Sequence, residues 1–112
     1  MVDLSFLKQF TKGNPDKMKR YISMYLDNSP KIFRDMETYL NNMDWEQLRI
    51  SAHSLKPQTE FMGAHQLKDK LIEIENAINN QNDSNLETLF KLAKELHIES
   101  QKYLKGQLQK LH

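Results

Sequence analysis

The stretch WEQLRISAHSLKPQTEFMG, residues 45–63, has the pattern of a helix with one buried and one solvated face. Wound at about 100° per residue with His53 as zero, Met62, Leu55, Leu48, Ala52 and Trp45 fall between about 180° and 280°, the face that must meet a core. On the other side stand Glu46 at about 20°, Pro57 at about 40°, Glu60 at about 340°, Arg49 at about 320° and Lys56 at about 300°. His53 is therefore central on a polar face, with one cation a turn before it and another three residues after. Ile50 and Phe61, at about 60° and 80°, lie on the rim of that face, where solvation alone would favour polar residues. A histidine beside Lys and Arg on an arbitrary helix is ordinary solvated surface. Pro57 sets this helix apart, because in mid-helix it removes the N–H that would bond the carbonyl of residue 53, a defect of about 3 kcal/mol that calls for a compensating reason.

Working outward, Asp44 and Gln47 have capping-box spacing, Met43 and Leu48 stand as a hydrophobic staple, and Gly63 ends the helix, which spans about 44–62. Before it, Asn14-Pro15 reads as an N-cap with proline at the first helical position, opening a helix over about 15–27. Ser29-Pro30 repeats that start signal and opens another over about 29–41. A short helix over about 3–10 precedes both, closed by Thr11–Gly13. After Gly63, Leu67, Leu71, Ile74 and Ile78 mark a helix over about 64–80. Ser84 and Glu87 form a second capping box, opening a last helix over about 84–106 that Gly106 would fray. The expected fold is all-α: an antiparallel up-down four-helix bundle, with two shorter additional N-terminal helices packed across one end. Residues 1–112 form a single domain.

Composition agrees and excludes much else. The 112 residues suffice for one core, and three glycines with three prolines are too few for an all-β fold rich in tight turns. With no cysteine, disulfides, thiol catalysis and zinc-thiolate sites are excluded. No apolar run approaches a membrane span, and no signal-peptide core is visible, so a cytoplasmic protein is expected. A net charge of +1 carries no nucleic-acid footprint. The cations Lys8, Lys12, Lys17, Lys19 and Arg20 are only a local excess, without aromatic platforms among them.

Ala52-His53-Ser54-Leu55-Lys56, followed by Gly63-Ala64 and then Leu67, resembles the phosphoacceptor motif of histidine-containing phosphotransfer (HPt) domains. The likeness extends to Tyr25-Leu26, Pro30, Phe33, Asp44 and Leu48, and so covers about residues 16–75. One departure stands out: Pro57 replaces the motif glycine, which keeps the surface beside the histidine low for an approaching partner.

The resemblance implies that His53 is a phosphoacceptor, taking a phosphoryl group from a receiver-domain aspartyl phosphate and passing it to another receiver. Lys56, and secondarily Arg49, would offset the new negative charge. Glu75, 22 residues after His53, stands where related domains place the acceptor for one imidazole nitrogen; as a bare residue it reads equally as a solvated glutamate. Gln58 is a weaker candidate, since its position points away. Ile50, Pro57, Glu60, Phe61 and Gly63 would form the docking surface, although Phe61 could as well pack on a neighbouring helix. The partners implied are receiver domains of response regulators or hybrid sensor histidine kinases. The Mg²⁺ would belong to the receiver, and the chain would be a monomeric carrier without a cofactor of its own, not a kinase. No Walker loop or Gly-rich kinase loop is present. The alternative is an HPt-fold docking module without phosphotransfer.

A carboxylate–histidine metal enzyme does not fit. The residues three before His53, His65, His97 and His112 are Ile50, Met62, Lys94 and Gln109, so the Glu-x-x-His motif of di-iron bundles is absent. His65 and His97 read as helix-surface residues, and the six methionines as core filler.

Overall fold

The computed structural model describes residues 2–111; Met1 and His112, the ends of the expected 1–112 domain, lie outside them. Five helices follow in order: α1 (Ser5–Phe10), α2 (Pro15–Asn41), α3 (Trp45–Phe61), α4 (His65–Asn79) and α5 (Leu86–Lys110). The described residues contain no strand, only an isolated antiparallel bridge between Val2 and Ala64. Successive long helices pack on one another, and α2 closes the ring against α5, giving a bundle 44 Å long and about 20 Å across. None of these helices is long and apolar enough to cross a membrane.

Where two helices were expected over 15–27 and 29–41, the structure has one of 27 residues. Asn14 caps it through its side chain, which accepts from the Lys17 N–H at 3.1 Å, and Pro15 takes the first turn. Pro30 then lies inside the helix and does not open a second one. The reason is phase: Met18, Ile22, Tyr25, Ser29, Phe33 and Met36 form one unbroken buried stripe across the proline. Losing one hydrogen bond at Pro30 costs about 3 kcal/mol, whereas each large apolar side chain buried on that stripe contributes about 1.5–3 kcal/mol. Tertiary packing therefore overrides the local start signal.

Three smaller expectations are also corrected. Met43 does not staple the start of α3; it adopts a left-handed backbone (φ 54°) that turns the chain out of α2, leaving its side chain 69% exposed. Ser84 does not cap α5, because its hydroxyl donates to Asn82 and the cap position falls on Asn85 without a side-chain bond. Gly106 does not fray α5, which runs on to Lys110.

Only α1 lies across the end of the bundle. Leu7 is its buried anchor, and the segment before it is tied to the α3–α4 turn by the Asp3 N–H donating to the Gly63 carbonyl at 3.0 Å. Gly63 has φ +72°, and a Cβ there would meet the Asp3 carbonyl oxygen at 1.6 Å. This glycine is the seat of the N-terminal segment. His97 is not a helix-surface residue: it is 4% exposed, lies flat on Phe33 with ring centroids 4.1 Å apart, and its Nδ1 has no partner. Burial pushes its pKa down to about 4.

Candidate functional site

The site is built on the outer face of α3, supported by α4. Leu48, Ala52, Leu55 and Thr59 lock the inner face of α3 into the core, so the opposite face is turned to solvent. His53 stands there with its side chain 65% accessible. Its Nδ1 lies 2.7 Å from Oε2 of Glu75, which α4 delivers between the buried Leu71 and Ile74 and the half-buried Ile78. The other carboxylate oxygen, Oε1, accepts from Lys56 Nζ at 2.6 Å. One carboxylate thus ties together the histidine and the cation three residues beyond it.

The electrostatics follow from that bridge. Glu75 is only 12% accessible. Burial alone would raise its pKa; the hydrogen bonds from Lys56 and His53 outweigh that and hold the carboxyl below its ordinary range. An ionised Glu75 accepts, so the Nδ1 proton points inward and the lone pair on Nε2 points to solvent. The geometry fixes the ring by one imidazole nitrogen and leaves the other turned outward.

The remaining predicted residues fall into separate places. Arg49 does not point to the histidine; its guanidinium forks onto Glu46 a turn earlier, with Nη2–Oε1 at 2.5 Å. Glu60 is paired with Lys68 of α4 at 3.1 Å. Ile50 is 44% exposed and Pro57 is exposed on the same side of α3. Gln58 is bonded across to Asn28 of α2 at 2.8 Å and takes no part at the histidine. Gly63 is buried beneath Asp3 and offers no docking surface, which corrects that expectation.

Phe61 is the hub of an aromatic cluster: its ring centroid lies 5.4, 5.1 and 5.3 Å from those of Phe6, Phe10 and Tyr21. Phe6 and Phe10 remain more than half exposed, as does Met24. Beside them an apolar groove of about 460 Å³ opens between α2 and α3, lined by Tyr21, Met24, Tyr25, Pro57 and Phe61 among others. The sequence reading missed this surface. Its one signal was Phe6 and Phe10 at i, i+4 on a helix whose buried residue is Leu7. Glu46, the partner of Arg49, shows in the sequence only as part of the polar face. Among the described residues no group of three or more His, Asp or Glu side chains is placed to hold a metal ion.

Fold and site together define a class of protein: a helical bundle that offers a single oriented histidine nitrogen to a partner. The chain belongs to the Hpt domain family, whose sequence model matches residues 20–111. Its function is histidine phosphotransfer in phosphorelays, with receiver domains of two-component systems as the partner class. Among solved structures it is similar to histidine-containing phosphotransfer protein B (HptB) from Pseudomonas aeruginosa PAO1, with a TM-score of 0.90 at 20% identity over 97% of this chain and 95% of that one. At that identity the likeness is one of fold. No curated protein sequence gives a significant match.

Proposed function

We propose that His53 is the phosphoryl carrier of this chain, accepting on Nε2 from a receiver aspartyl phosphate and returning the group to a second receiver. The observation that carries this reading is the Glu75 bridge, which holds Nδ1 and leaves Nε2 exposed on the surface. In the transfer the Nε2 lone pair attacks phosphorus in line, the bond from phosphorus to the aspartyl oxygen breaks, and the carboxylate leaves with the electron pair. The Nδ1 proton stays between the ring and Glu75, which offsets the positive charge the ring acquires. Lys56 positions Glu75, and with Arg49 a turn before the histidine it gives this face of α3 the cations that offset the incoming charge.

On this reading the chain is a carrier and not a kinase. The Mg²⁺ that neutralises the transferring group is supplied by the receiver, and no cofactor is resident. Residues 1–112 act as one cytoplasmic, monomeric domain that engages neither membrane nor nucleic acid. The receiver docks over Ile50, Pro57, Glu60 and Phe61, with the exposed rings of Phe6 and Phe10 extending that surface.

The test is direct. Incubated with a phosphorylated receiver, the wild type should gain an acid-labile, base-stable phosphate, and His53→Gln should gain none. Equal labelling of the two would sink the assignment.

A further inference from the structure

The two cations beside His53 are held in different ways, and the difference decides which of them can meet a phosphoryl group. Lys56 is 23% accessible and bonded to a carboxylate that also holds the histidine ring. Moving it would strip Glu75, a covered carboxylate, of one of its two partners. Arg49 sits one turn before His53 on the same face and is 29% accessible, much like Lys56, but its partner Glu46 is 65% accessible where Glu75 is 12%. That pair is a solvent-exposed i,i+3 contact within one helix, the weakest kind of ion pair to break. Arg49 does not touch the histidine, and Glu46 is the main influence on its charge, with Glu75 a minor one. Its planar fork suits bidentate binding of phosphate oxygens, which Lys56 cannot offer.

We infer that Arg49 exchanges partners on phosphorylation, leaving Glu46 for the phosphoryl group on Nε2 of His53, with Glu46 as the positioning residue that competes for it. The inference rests on the carrier reading above. Glu46 thereby sets how strongly the phosphorylated state is held: a stronger hold on Arg49 makes phosphohistidine a better donor, and a weaker hold makes it a better store. The receiver need not supply a carboxylate to release Arg49, since one waits on the same helix.

The experiment uses the whole chain phosphorylated with phosphoramidate, a small donor that needs no receiver; its P–N bond breaks and ammonia leaves. The second ionisation of the phosphoryl group is then followed by ³¹P chemical shift against pH. A cation on the group lowers that midpoint. Freed from competition in Glu46→Gln, Arg49 should lower it by about 0.3 pH unit relative to wild type, the twofold effect that a surface ion pair of this kind supports. Arg49→Gln should raise it. In the double variant Glu46→Gln/Arg49→Gln the midpoint should equal that of Arg49→Gln alone, and Glu46→Asp should behave as wild type. If Glu46→Gln still lowers the midpoint in the Arg49→Gln background, its charge acts through space and the exchange is refuted. Identical midpoints in wild type, Glu46→Gln and Arg49→Gln would refute it too, while leaving His53 as the carrier. If neither phosphoramidate nor a phosphorylated receiver labels the wild type at His53, the carrier reading fails and this inference falls with it.

Discussion

His53 and His97 are the same side chain in the middle of two long helices of one bundle, and they have opposite chemistry. His53 faces solvent, with one nitrogen bonded to Glu75 and the other exposed. His97 is sandwiched in the α2–α5 interface, flat on Phe33, with its Nδ1 unpaired and its pKa pushed down to about 4 by burial. Residue type does not distinguish them; the face of the helix does, His53 lying opposite the buried stripe of α3 and His97 within that of α5. A carboxylate delivered by a neighbouring helix orients the first with one nitrogen outward, and the second, without one, is a neutral core ring.

The comparison can be broken most sharply by exchanging the two residues' fates. Labelling by a phosphorylated receiver should vanish in His53→Gln and persist at the wild-type extent in His97→Phe, as phosphate incorporation followed on gels would show. The next effect is on stability. A histidine whose folded pKa lies below its unfolded value of about 6.5 leaves stability whole above that pH, and the stability is lost as pH falls toward about 4. The loss should approach about 3 kcal/mol at the acid end, at about 1.4 kcal/mol per pH unit. His97→Phe should flatten urea-denaturation midpoints between pH 6.5 and 4, whereas His53→Gln should leave that slope in place.

A smaller change tests what makes His53 different. Glu75→Gln keeps the shape but removes the charge, weakening a hydrogen bond of the charged class, about 1.5–3 kcal/mol. Phosphotransfer rates measured by rapid quench should fall about tenfold or more. The carboxyl of Glu75 lies below its ordinary range, so its own contribution to stability is present above about 4.3 and is lost only as pH falls further. That loss begins only at the acid end of the His97 window, so the slope between about pH 6.5 and 4.5 reports His97. The smallest effect should come from Gly106→Ala on α5, the helix that carries His97. A Cβ there meets nothing within 4 Å, so the substitution should raise stability by about 1 kcal/mol, read as a higher Tm, with labelling at His53 unchanged.

Much of this was legible from residues alone. The apolar stripe of residues 45–62 placed His53 on the outer face of its helix, and the wheel angles of Leu48, Ala52 and Leu55 match their burial. His97 was misread although the signal existed: Leu86, Phe90, Ala93, His97, Ser100 and Leu104 keep a regular 4-3-4-3-4 spacing, and all are buried. The polar members of that stripe hid it. Pro30 misled in the opposite direction, since Ser-Pro is a true start signal in isolation and only the continuity of the stripe on both sides overrides it. Gly63 was rightly seen as a helix end, but its second task, making room for Asp3, depends on a contact 60 residues away in the chain.

Periodicity, caps and charge pattern act over a few residues, so the sequence by itself determined the helical class, the exposure of His53 and the cations on its face. The pairings belong to the tertiary structure. Glu75 reaches His53 and Lys56 because α4 packs on α3 in one register, Phe6 and Phe10 meet Phe61 because Gly63 lets the N-terminal segment lie close, and His97 loses its solvent because α2 runs straight through Pro30 and covers it. Each of these is a contact between distant parts of the chain, set by how whole helices bury their apolar faces together; local periodicity can show which face is buried, not what it meets.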